Sequence, residues 1–374
     1  MLLLPGTDPG LERALAAALD GGRPVAPLPP DPSAALAMLQ PDEPVVEDDA
    51  ALIVATSGST GTPKGVVLSR RAVVSGSRAT HDRLGGPGNW TLAVPPHYVA
   101  GVMVIARTLV AGTRLQHASS DLSDLPEVTG RNYISLVPTQ LVRGLADPRI
   151  TKRLAAYDAI LLGGAAAAPE LLARAEERGV HVVTSYGSSE TSGGCIYDGV
   201  PLDGVTVDLV PAPDRPGTTR VAITGDVVFS GYRLRPDLTH EVLDGRTLLT
   251  RDRADWVDRR LRILGRLDDV VISGGINVDL AAVERALHDV DPQGVALGVP
   301  DPEWGARIVV AITTDHSLAD VRAALTTLES PARPRGLLRR DPLPLTPTGK
   351  IDRQQLLEWW AAGPGECPAW KESM

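Results

Sequence analysis

Cysteine and aromatic residues are scarce in this 374-residue chain, which has two Cys and only 3% Phe, Trp and Tyr. Two cysteines, Cys195 and Cys367, cannot build a disulfide framework, and neither lies at a metal-ligand spacing. The seven histidines are scattered along the chain, so no zinc site is expected. With so few aromatics, the core must consist mostly of Leu, Val, Ala and Ile.

Long apolar runs and an excess of positive charge are also missing. The longest apolar stretch, residues 99–112, contains Arg107 and is too short to span a bilayer. Residues 1–6 lack the charged region and the apolar core of a signal peptide, so we expect a cytoplasmic protein with no transmembrane segment. A net charge of −9, without a basic stripe bearing aromatics, argues against a nucleic-acid partner.

Lysine is the rarest charged residue, since only Lys64, Lys152, Lys350 and Lys371 occur in the sequence. Nearly all the basic charge is therefore arginine. A lysine in so arginine-biased a chain suggests that a compact, strongly hydrated ammonium is needed at its position. Two of the four lie in Pro-Lys-Gly and Gly-Lys-Ile segments, which makes Lys64 and Lys350 candidate site residues.

The first two thirds of the chain are predicted to form an α/β layered domain. Residues before Glu47, with one helix at 11–19, look like a short leader packed on that domain. From Ala51, short apolar runs alternate with segments of helical period, which favours a largely parallel sheet. Strands are expected at 91–94, 113–117, 133–137, 159–162 and 181–184, and helices at 70–83, 101–110, 139–145 and 169–178.

From Val205 the pattern becomes β-rich, with strands expected at 205–210, 220–224, 227–230, 247–249 and 259–266. A smaller α+β set follows Asp268, with strands at 270–272, 294–299 and 307–313 and helices at 279–287 and 318–328. We therefore predict two domains, 1–267 and 268–374. The first is a large α/β domain with a β-rich subdomain, and the second is a small mobile α+β domain.

The most informative segment is residues 56–66, Thr-Ser-Gly-Ser-Thr-Gly-Thr-Pro-Lys-Gly-Val. An apolar run enters it and a helix-like pattern begins near Ser69. A glycine-rich loop between a strand and a helix presents backbone N–H groups and hydroxyls to phosphates. It is no Walker A loop, because Gly65 stands after the lysine where that motif has Ser or Thr. A Ser/Gly linker has a similar composition, but linkers rarely follow an apolar strand so closely.

As an unbroken run, this segment resembles the phosphate-loop signature of the adenylate-forming superfamily, which includes acyl-CoA synthetases, adenylation domains and luciferases. The resemblance implies that the ATP phosphates are held by Thr56, Ser57, Gly58, Ser59, Thr60, Gly61 and Lys64.

A second segment, Tyr-Gly-Ser-Ser-Glu-Thr at 186–191, resembles the Tyr-Gly-x-Thr-Glu motif of the same superfamily. The resemblance implies that Tyr186 and Gly187 lie against the adenine, Ser189 near the α-phosphate, and Glu190 on magnesium. A carboxylate beside phosphates is the hard oxygen ligand that Mg²⁺ prefers. Gly163 and Gly164 end the preceding strand, and this turn also lies near adenine in the family.

Three further segments match superfamily motifs in the family's order. Thr-Arg-Asp-Arg-Ala at 250–254 resembles Thr-Gly-Asp-x-Gly, which makes Asp252 the ribose ligand although Arg251 and Ala254 replace glycines. Gly-Arg-Leu-Asp-Asp at 265–269 resembles the hinge motif, with Arg266 on ribose or phosphate and Asp268 as the hinge. The remaining implied positions are the thiol-channel glycines Gly274 and Gly275 and the catalytic lysine of the C-terminal motif, Lys350.

Shorter segments bear on the acid that is activated. Pro-Pro-His-Tyr-Val-Ala-Gly at 95–101 is similar to a synthetase loop beside the acyl pocket. Val-Pro-Thr-Gln-Leu at 137–141 and Ser-Gly-Gly-Ile-Asn-Val at 273–278 are similar to the o-succinylbenzoate–CoA ligases of menaquinone biosynthesis. This implies a substrate role for His97, Thr139 and Gln140. His97 could equally be an ordinary loop residue, and Thr139 a helix N-cap.

The resemblance implies a ligase that forms acyl-AMP from ATP and a carboxylic acid and then passes the acyl group to coenzyme A. ATP, Mg²⁺ and coenzyme A are the expected cofactors and cosubstrates, and o-succinylbenzoate is the preferred acid. The alternatives are another aryl- or acyl-CoA ligase, a carrier-protein-loading adenylation enzyme, and a non-catalytic nucleotide-binding protein on the same fold. A homo-oligomer is left open.

Overall fold

The computed structural model describes residues 1–56, 64–213, 218–346 and 351–362, together with the backbone of 370–373. The chain divides into two compact units. The first unit comprises Met1–Asp208, Ala222–Thr250 and Trp256–Leu261, and the second comprises Leu209–Val221, Arg251–Asp255 and Arg262–Met374.

The strands of the first half, in chain order, are β1 (Leu2–Pro5), β2 (Val25–Leu28), β3 (Ala50–Thr56), β4 (Lys64–Ser69), β5 (Asn89–Leu92), β6 (Leu115–His117), β7 (Asn132–Leu136), β8 (Ala159–Leu162), β9 (Val182–Ser188), β10 (Gly193–Tyr197), β11 (Val200–Pro201) and β12 (Val205–Pro211). The strands that follow are β13 (Thr219–Gly225), β14 (Gly231–Tyr232), β15 (Leu243–Asp244), β16 (Thr247–Leu249), β17 (Asp252–Val257), β18 (Arg260–Arg266), β19 (Val270–Ser273), β20 (Ile276–Asp279), β21 (Val295–Asp301), β22 (Gly305–Ile312), β23 (Gly336–Arg339) and β24 (Trp370–Ser373).

The α-helices, in chain order, are α1 (Leu11–Leu19), α2 (Ser33–Leu39), α3 (Arg70–Leu84), α4 (Val99–Ala111), α5 (Pro138–Ala146), α6 (Pro148–Leu154), α7 (Pro169–Glu177), α8 (Pro236–Val242), α9 (Leu280–Leu287), α10 (Leu318–Ala324) and α11 (Arg353–Ala361). Two short 3₁₀ turns lie at Ser189–Thr191 and Ser330–Ala332.

The N-terminal residues form part of a five-stranded sheet of the first unit. Its strand order is β1-β2-β3-β4-β14, with β1, β2 and β3 parallel and β4 antiparallel to β3. The expectation of a short leader was therefore wrong. Its proline-rich composition hid two strands, and β2 is buried along its whole length (Val25–Leu28). Helix α1 begins and ends as predicted.

A second sheet of the first unit has seven strands in the order β11-β10-β9-β8-β7-β5-β6. The pairs β5–β6, β5–β7, β7–β8 and β8–β9 are parallel, which confirms the predicted parallel character. Strands β9 and β10 turn antiparallel at the edge. In parallel sheets, loops after neighbouring strands meet at one edge, and this arrangement brings the ends of β7, β8 and β9 together.

Helices α5, α6 and α7 cover this sheet through an aliphatic core. Buried members include Ile134, Leu141, Leu154, Ile160 and Leu171, and each such side chain contributes roughly 1.5–3 kcal/mol when removed from water. Pro138, Pro148 and Pro169 each open a helix, since a first-turn proline gives up no helical hydrogen bond. Helix α3 is capped by Ser69, whose side chain accepts from Ala72 N.

One predicted strand of the β-rich segment is wrong. Residues 227–230 form a turn and irregular backbone, and the strand begins only at Gly231 as β14. Val227 and Val228 are buried nevertheless, so their apolar character reflects packing in a loop. Strands β13 and β16 pair antiparallel through Ala222–Leu249, and β16 pairs with β15.

The second unit has a six-stranded sheet whose two faces are both covered. Its path is β20-β19-β22-β23-β24, and β21 pairs with β22. Along β22, Ile308, Val310 and Ile312 join the core with α9 and α10, whereas Val309 and Ala311 join the core with α11. Successive side chains of a strand point to opposite faces, so this near-continuous apolar run fits a doubly covered strand.

Candidate active site

Strands β3 and β4 bring the two ends of the predicted phosphate loop together. Thr56 stands opposite Lys64 in the ladder, and the Thr56 hydroxyl donates to the Lys64 carbonyl across 3.3 Å. The loop residues Ser57, Gly58, Ser59, Thr60 and Gly61 lie outside the described residues. The loop joins two antiparallel strands, so the expected strand–loop–helix order was wrong. Residues 64–69 form β4, which was not expected, and α3 then begins at Arg70, as predicted.

Lys64 and Glu190, two predicted catalytic residues, meet at Tyr232. The Lys64 Nζ lies 4.9 Å from the centroid of the Tyr232 ring. The Tyr232 hydroxyl donates to Glu190 Oε1 across 2.8 Å. Tyr232 was not predicted from the sequence. Aromatic residues are rare in this chain, which has six tyrosines and one phenylalanine, so the presence of Tyr232 three residues after Phe229 was a usable signal. Strand β14 places it, because Tyr232 pairs with Val66 of β4.

The turn that carries Ser189 and Glu190 is held by Thr191. The Thr191 hydroxyl donates to the Gly193 carbonyl across 2.7 Å and accepts from the Ser188 amide across 2.8 Å. Thr191 is 1% exposed, so these bonds lie in a dry environment where their loss would be costly. From the other side, the Phe229 amide donates to the Glu190 carbonyl across 2.9 Å. Both the backbone and the carboxylate of Glu190 are therefore positioned.

The predicted adenine-site residues end two neighbouring strands. Tyr186 and Gly187 lie on β9, and Gly163 and Gly164 directly follow β8, which pairs with β9 in parallel. Gly187 is required, since a Cβ there would collide with the Gly193 carbonyl. Gly164 has φ +86°, a conformation that favours glycine. The four residues thus share one edge of the sheet, as the sequence predicted.

His97 is half-buried before α4 and packs on Tyr98, with ring centroids 4.1 Å apart. Burial lowers the pKa of His97 and raises the pKa of Tyr98, so both are neutral near pH 7. The following helix starts tightly against this loop. The Gly101 amide donates to the Tyr98 carbonyl across 3.1 Å, and a Cβ on Gly101 would collide with Pro95 O.

Gln140 and Thr139 on α5 differ in their surroundings. Gln140 is 6% exposed, and its Nε2 donates to Ala93 O at 2.8 Å and to Ser120 O at 3.0 Å. Its Oε1 accepts from the Val137 amide at 3.1 Å, so the whole amide ties the loops beside β5 and β7 to α5. Thr139 is exposed. The reading of Thr139 as an N-cap was wrong, because α5 begins one residue earlier and Val137 is the cap.

Arg107 on α4 is a buried cation that was not predicted as a site residue. From the sequence it was noted only as a charge within an apolar run. It is 3% exposed, and its guanidinium carbon lies 5.0 Å from the Trp90 ring centroid. Its Nε has no hydrogen-bond partner among the described residues. Burial lowers the pKa of Arg107, opposed by Tyr197. A Cβ added to Gly193 would lie 3.9 Å from Arg107 Nη2, so the guanidinium stands behind the turn that carries Glu190.

In the second unit, Asp252 and Arg266 are paired through Arg266 Nη1 and Asp252 Oδ1 at 3.2 Å. Arg266 Nη2 also reaches Asp268 Oδ2 at 2.8 Å, and Arg251 Nη1 reaches Asp268 Oδ1 at 3.1 Å. Burial alone would raise the pKa of Asp268, but its hydrogen bonds and charge pairing with Arg266 and Arg251 lower it. The arginine that replaces a family glycine at 251 thus binds the predicted hinge.

Gly274 and Gly275 form the turn between β19 and β20, with φ values of +55° and +81°. A Cβ on Gly274 would lie 2.7 Å from the Trp304 ring, and its amide donates to the Trp304 carbonyl across 2.9 Å. Lys350 lies outside the described residues. Its flanks are anchored: Leu345 forms a β-bridge with Ile351, and Arg353 Nη2 pairs with Glu284 Oε1 at 2.6 Å.

The described residues contain no group of three or more His, Cys, Asp or Glu side chains able to hold a metal ion. Glu190 alone fits Mg²⁺, which is commonly bound through one or two carboxylates together with substrate phosphates. Tyr232 engages one oxygen of the carboxylate, and a carboxylate has a second to offer. No helix in the described part of the chain is long and apolar enough to cross a membrane.

A strand-bounded glycine-rich loop, a carboxylate turn at the edge of a parallel sheet and a small α+β unit with a glycine hairpin define an adenylate-forming enzyme. The sequence profile of AMP-binding enzymes matches residues 10–232. The chain therefore belongs to the AMP-binding enzyme family, and the α/β fold predicted from the sequence is confirmed.

Individual relatives narrow the comparison. The chain is 39% identical to the probable 2-succinylbenzoate–CoA ligase of Mycobacterium tuberculosis over 335 residues, 84% of this chain and 86% of that protein. It is 32% identical to the 2-succinylbenzoate–CoA ligase of Escherichia coli, over 81% of this chain and 68% of that protein. The solved structure of wild-type Escherichia coli MenE, bound to a phenylether-linked analogue of OSB-AMS, matches with a TM-score of 0.70 and 26% identity, covering 91% and 83% of the two chains.

Proposed function

We propose that this protein is an AMP-forming acid–thiol ligase of menaquinone biosynthesis. Its proposed reaction converts 2-succinylbenzoate, which is the same compound as o-succinylbenzoate, to its coenzyme A thioester. The relatives of that activity support the reaction class, and the buried Arg107 is the observation that carries the choice of acid. ATP and coenzyme A, its cosubstrates, are cytoplasmic metabolites, which supports a cytoplasmic location.

The chosen acid has two carboxylates, of which only one is activated. The other must be bound in a pocket that excludes water, and a buried carboxylate requires a cation. Arg107 is such a cation, 3% exposed, with an Nε that has no partner among the described residues. Arginine suits this role because its guanidinium fork matches a carboxylate in two parallel hydrogen bonds. We assign the carboxylate that is not activated to Arg107, with His97 and Thr139 as further pocket residues and Gln140 positioning the pocket wall.

In the first half-reaction, a carboxylate oxygen of the acid attacks the α-phosphorus of ATP, and the bond to the β-phosphate oxygen breaks, releasing pyrophosphate. The loop from Thr56 to Lys64 grips the leaving group, and Ser189 donates to the α-phosphate. Magnesium, when bound at Glu190, would offset phosphate charge. Lys350 stabilises the negative charge that develops between the carboxylate and the α-phosphate in the transition state. Electrostatic stabilisation of this kind is usually the largest contribution to catalysis of such transfers.

In the second half-reaction, the thiol sulfur of coenzyme A attacks the acyl carbonyl, AMP leaves with the bonding electron pair, and the thiol proton passes to solvent. We propose that domain 268–374 turns about Asp268 between the two steps, which withdraws Lys350 and presents Gly274 and Gly275. Tyr186, Gly187, Gly163 and Gly164 hold the adenine throughout, and Asp252 and Arg266 hold the ribose. The protein supplies positioning and charge, and it needs no nucleophile of its own.

The test is pyrophosphate release with ATP, Mg²⁺ and a panel of acids, with and without coenzyme A, followed by identification of the thioester. Turnover selective for 2-succinylbenzoate is expected, whereas benzoate and 4-phenylbutyrate, which lack the second carboxylate, should react poorly. Release only with other acids would keep the reaction class and overturn the substrate. Transfer to a phosphopantetheine carrier protein in place of coenzyme A would favour the adenylation-domain alternative.

A further inference from the structure

Three side chains that are distant in the sequence meet at Tyr232 in the first unit. The Lys64 ammonium lies 4.9 Å from the centroid of its ring, and its hydroxyl donates to Glu190 Oε1 across 2.8 Å. We propose that Tyr232 is a positioning residue that holds Lys64 and Glu190 apart and aimed at the phosphates of Mg·ATP. This inference rests on the proposed function, in which Lys64 and Glu190 act on that triphosphate.

Tyr232 is suited to this role because its position is fixed. It is 6% exposed, and its ring packs against the edge of Phe229, with ring centroids 4.9 Å apart. Its backbone pairs with Val66 in β4, two residues after Lys64, and its amide donates to the Thr239 hydroxyl across 2.9 Å. A side chain so confined loses little further entropy when it orients a neighbour.

The next residue, Arg233, secures the same strand. It is 1% exposed, and its guanidinium donates to four backbone carbonyls, those of Leu39, Gln40, Glu43 and Pro44. Its amide donates to the Gly65 carbonyl across 2.7 Å. The residue after Tyr232 is therefore hydrogen-bonded to the residue after Lys64, which fixes the position of β14 relative to the end of the phosphate loop.

The chemistry of the contacts explains why a tyrosine serves here. A lysine and a glutamate that face a common ligand can pair with each other, which would quench both charges. The aromatic face attracts the Lys64 ammonium without neutralising it. The hydroxyl supports ionised Glu190 by a charge-assisted hydrogen bond to one oxygen, and the other oxygen is left for a cation. Tyr232 thus positions both the phosphate donor, Lys64, and the metal ligand, Glu190.

The test compares Tyr232→Phe and Tyr232→Leu by calorimetric titration with ATP, first in EDTA and then with Mg²⁺. Tyr157→Phe is the matched control. It also removes one buried tyrosine hydroxyl, but that hydroxyl is hydrogen-bonded to Thr91 Oγ1 across 2.9 Å and contacts neither Lys64 nor Glu190. Tyr232→Phe, which keeps the ring beside Lys64, should reduce the gain on adding Mg²⁺ by roughly tenfold or more and should weaken metal-free ATP binding less than Tyr232→Leu does, as for other residues that orient a metal ligand. Tyr232→Leu should in addition weaken metal-free ATP binding by roughly 2- to 30-fold.

A Tyr232→Phe variant with the full gain from Mg²⁺, or a Tyr232→Leu variant that binds metal-free ATP like the wild type, would overturn the proposal. Equal losses in both variants and in Tyr157→Phe would point to a general packing effect and would overturn it too. Circular dichroism establishes that each variant is folded. Because the titration needs no acid or coenzyme A, its result stands apart from the thioester assay that tests the proposed function.

Discussion

The indole Nε1 of Trp90 donates a hydrogen bond to Nε2 of His81 across 3.0 Å, in the buried layer between α3 and β5. His81 is 4% exposed and must be neutral to accept this bond. Burial and then the nearby Arg107 lower the pKa of His81 to about 4, against a smaller opposing effect of Asp82. The neutral imidazole and the buried guanidinium therefore share one region without charge repulsion.

This relationship predicts a loss of stability in mild acid. Between pH 6.5 and 4 the unfolded chain binds a proton at His81 and the folded chain does not, so stability falls as the pH falls. The loss should approach the order of 3 kcal/mol at pH 4. His81→Gln keeps an acceptor that does not titrate, so its urea midpoint should depend less on pH than that of the wild type. His117→Gln, at an exposed histidine, should behave like the wild type, and equal pH slopes for all three would contradict the prediction.

Replacing Arg107 should change which acids are activated. Arg107→Met is expected to lower kcat/KM for 2-succinylbenzoate roughly 10- to 100-fold, the cost of one charged hydrogen-bonded contact, with little effect on 4-phenylbutyrate, which lacks the second carboxylate. Arg143→Met, at an exposed arginine of α5, is the control. Equal losses for both acids would mean that Arg107 maintains the shape of the pocket and does not contact the substrate.

Lys350 should act in one half-reaction only. Lys350→Ala is expected to slow pyrophosphate release by roughly 100- to 1,000-fold, because a preorganised positive charge at the transition state is lost. Thioester formation from supplied acyl-AMP and coenzyme A should be nearly unaffected. Lys152→Ala, an exposed lysine on α6, should match the wild type in both assays. Comparable losses in the two half-reactions would argue against the assigned role.

Asp252 should determine the requirement for ATP. Asp252→Asn is expected to raise the KM for ATP about tenfold, with a smaller effect on kcat, since one ribose contact is worth on the order of 1.5 kcal/mol. Asp255→Asn, at a partly exposed aspartate paired with Arg262 Nη2 at 2.6 Å, is the matched control. An unchanged ATP dependence in Asp252→Asn would mean that the segment around Arg251 had been wrongly matched to its motif.

Local sequence determined the elements that depend on local physics. Helices α1 and α7 begin where the pattern predicted, and strand β8 agrees with it at both ends, because an amphipathic period or a short apolar run between turns specifies such elements. The motif residues at the ends of β8 and β9 also fall at one sheet edge. Consecutive parallel strands bring their following loops together, so this clustering needs no knowledge of distant contacts.

Tertiary structure decided the features that depend on partners far along the chain. Strands β1 and β2 are short and each contains a proline, and they become strands only because β2 pairs with β3 and β1 pairs with β2. Tyr232 gains its place at Lys64 and Glu190 through β14, and Arg107 gains significance through burial without a carboxylate partner among the described residues. A sequence motif records which groups are present. Whether a group is buried, paired or aimed at another is decided by packing between segments, which no local pattern encodes.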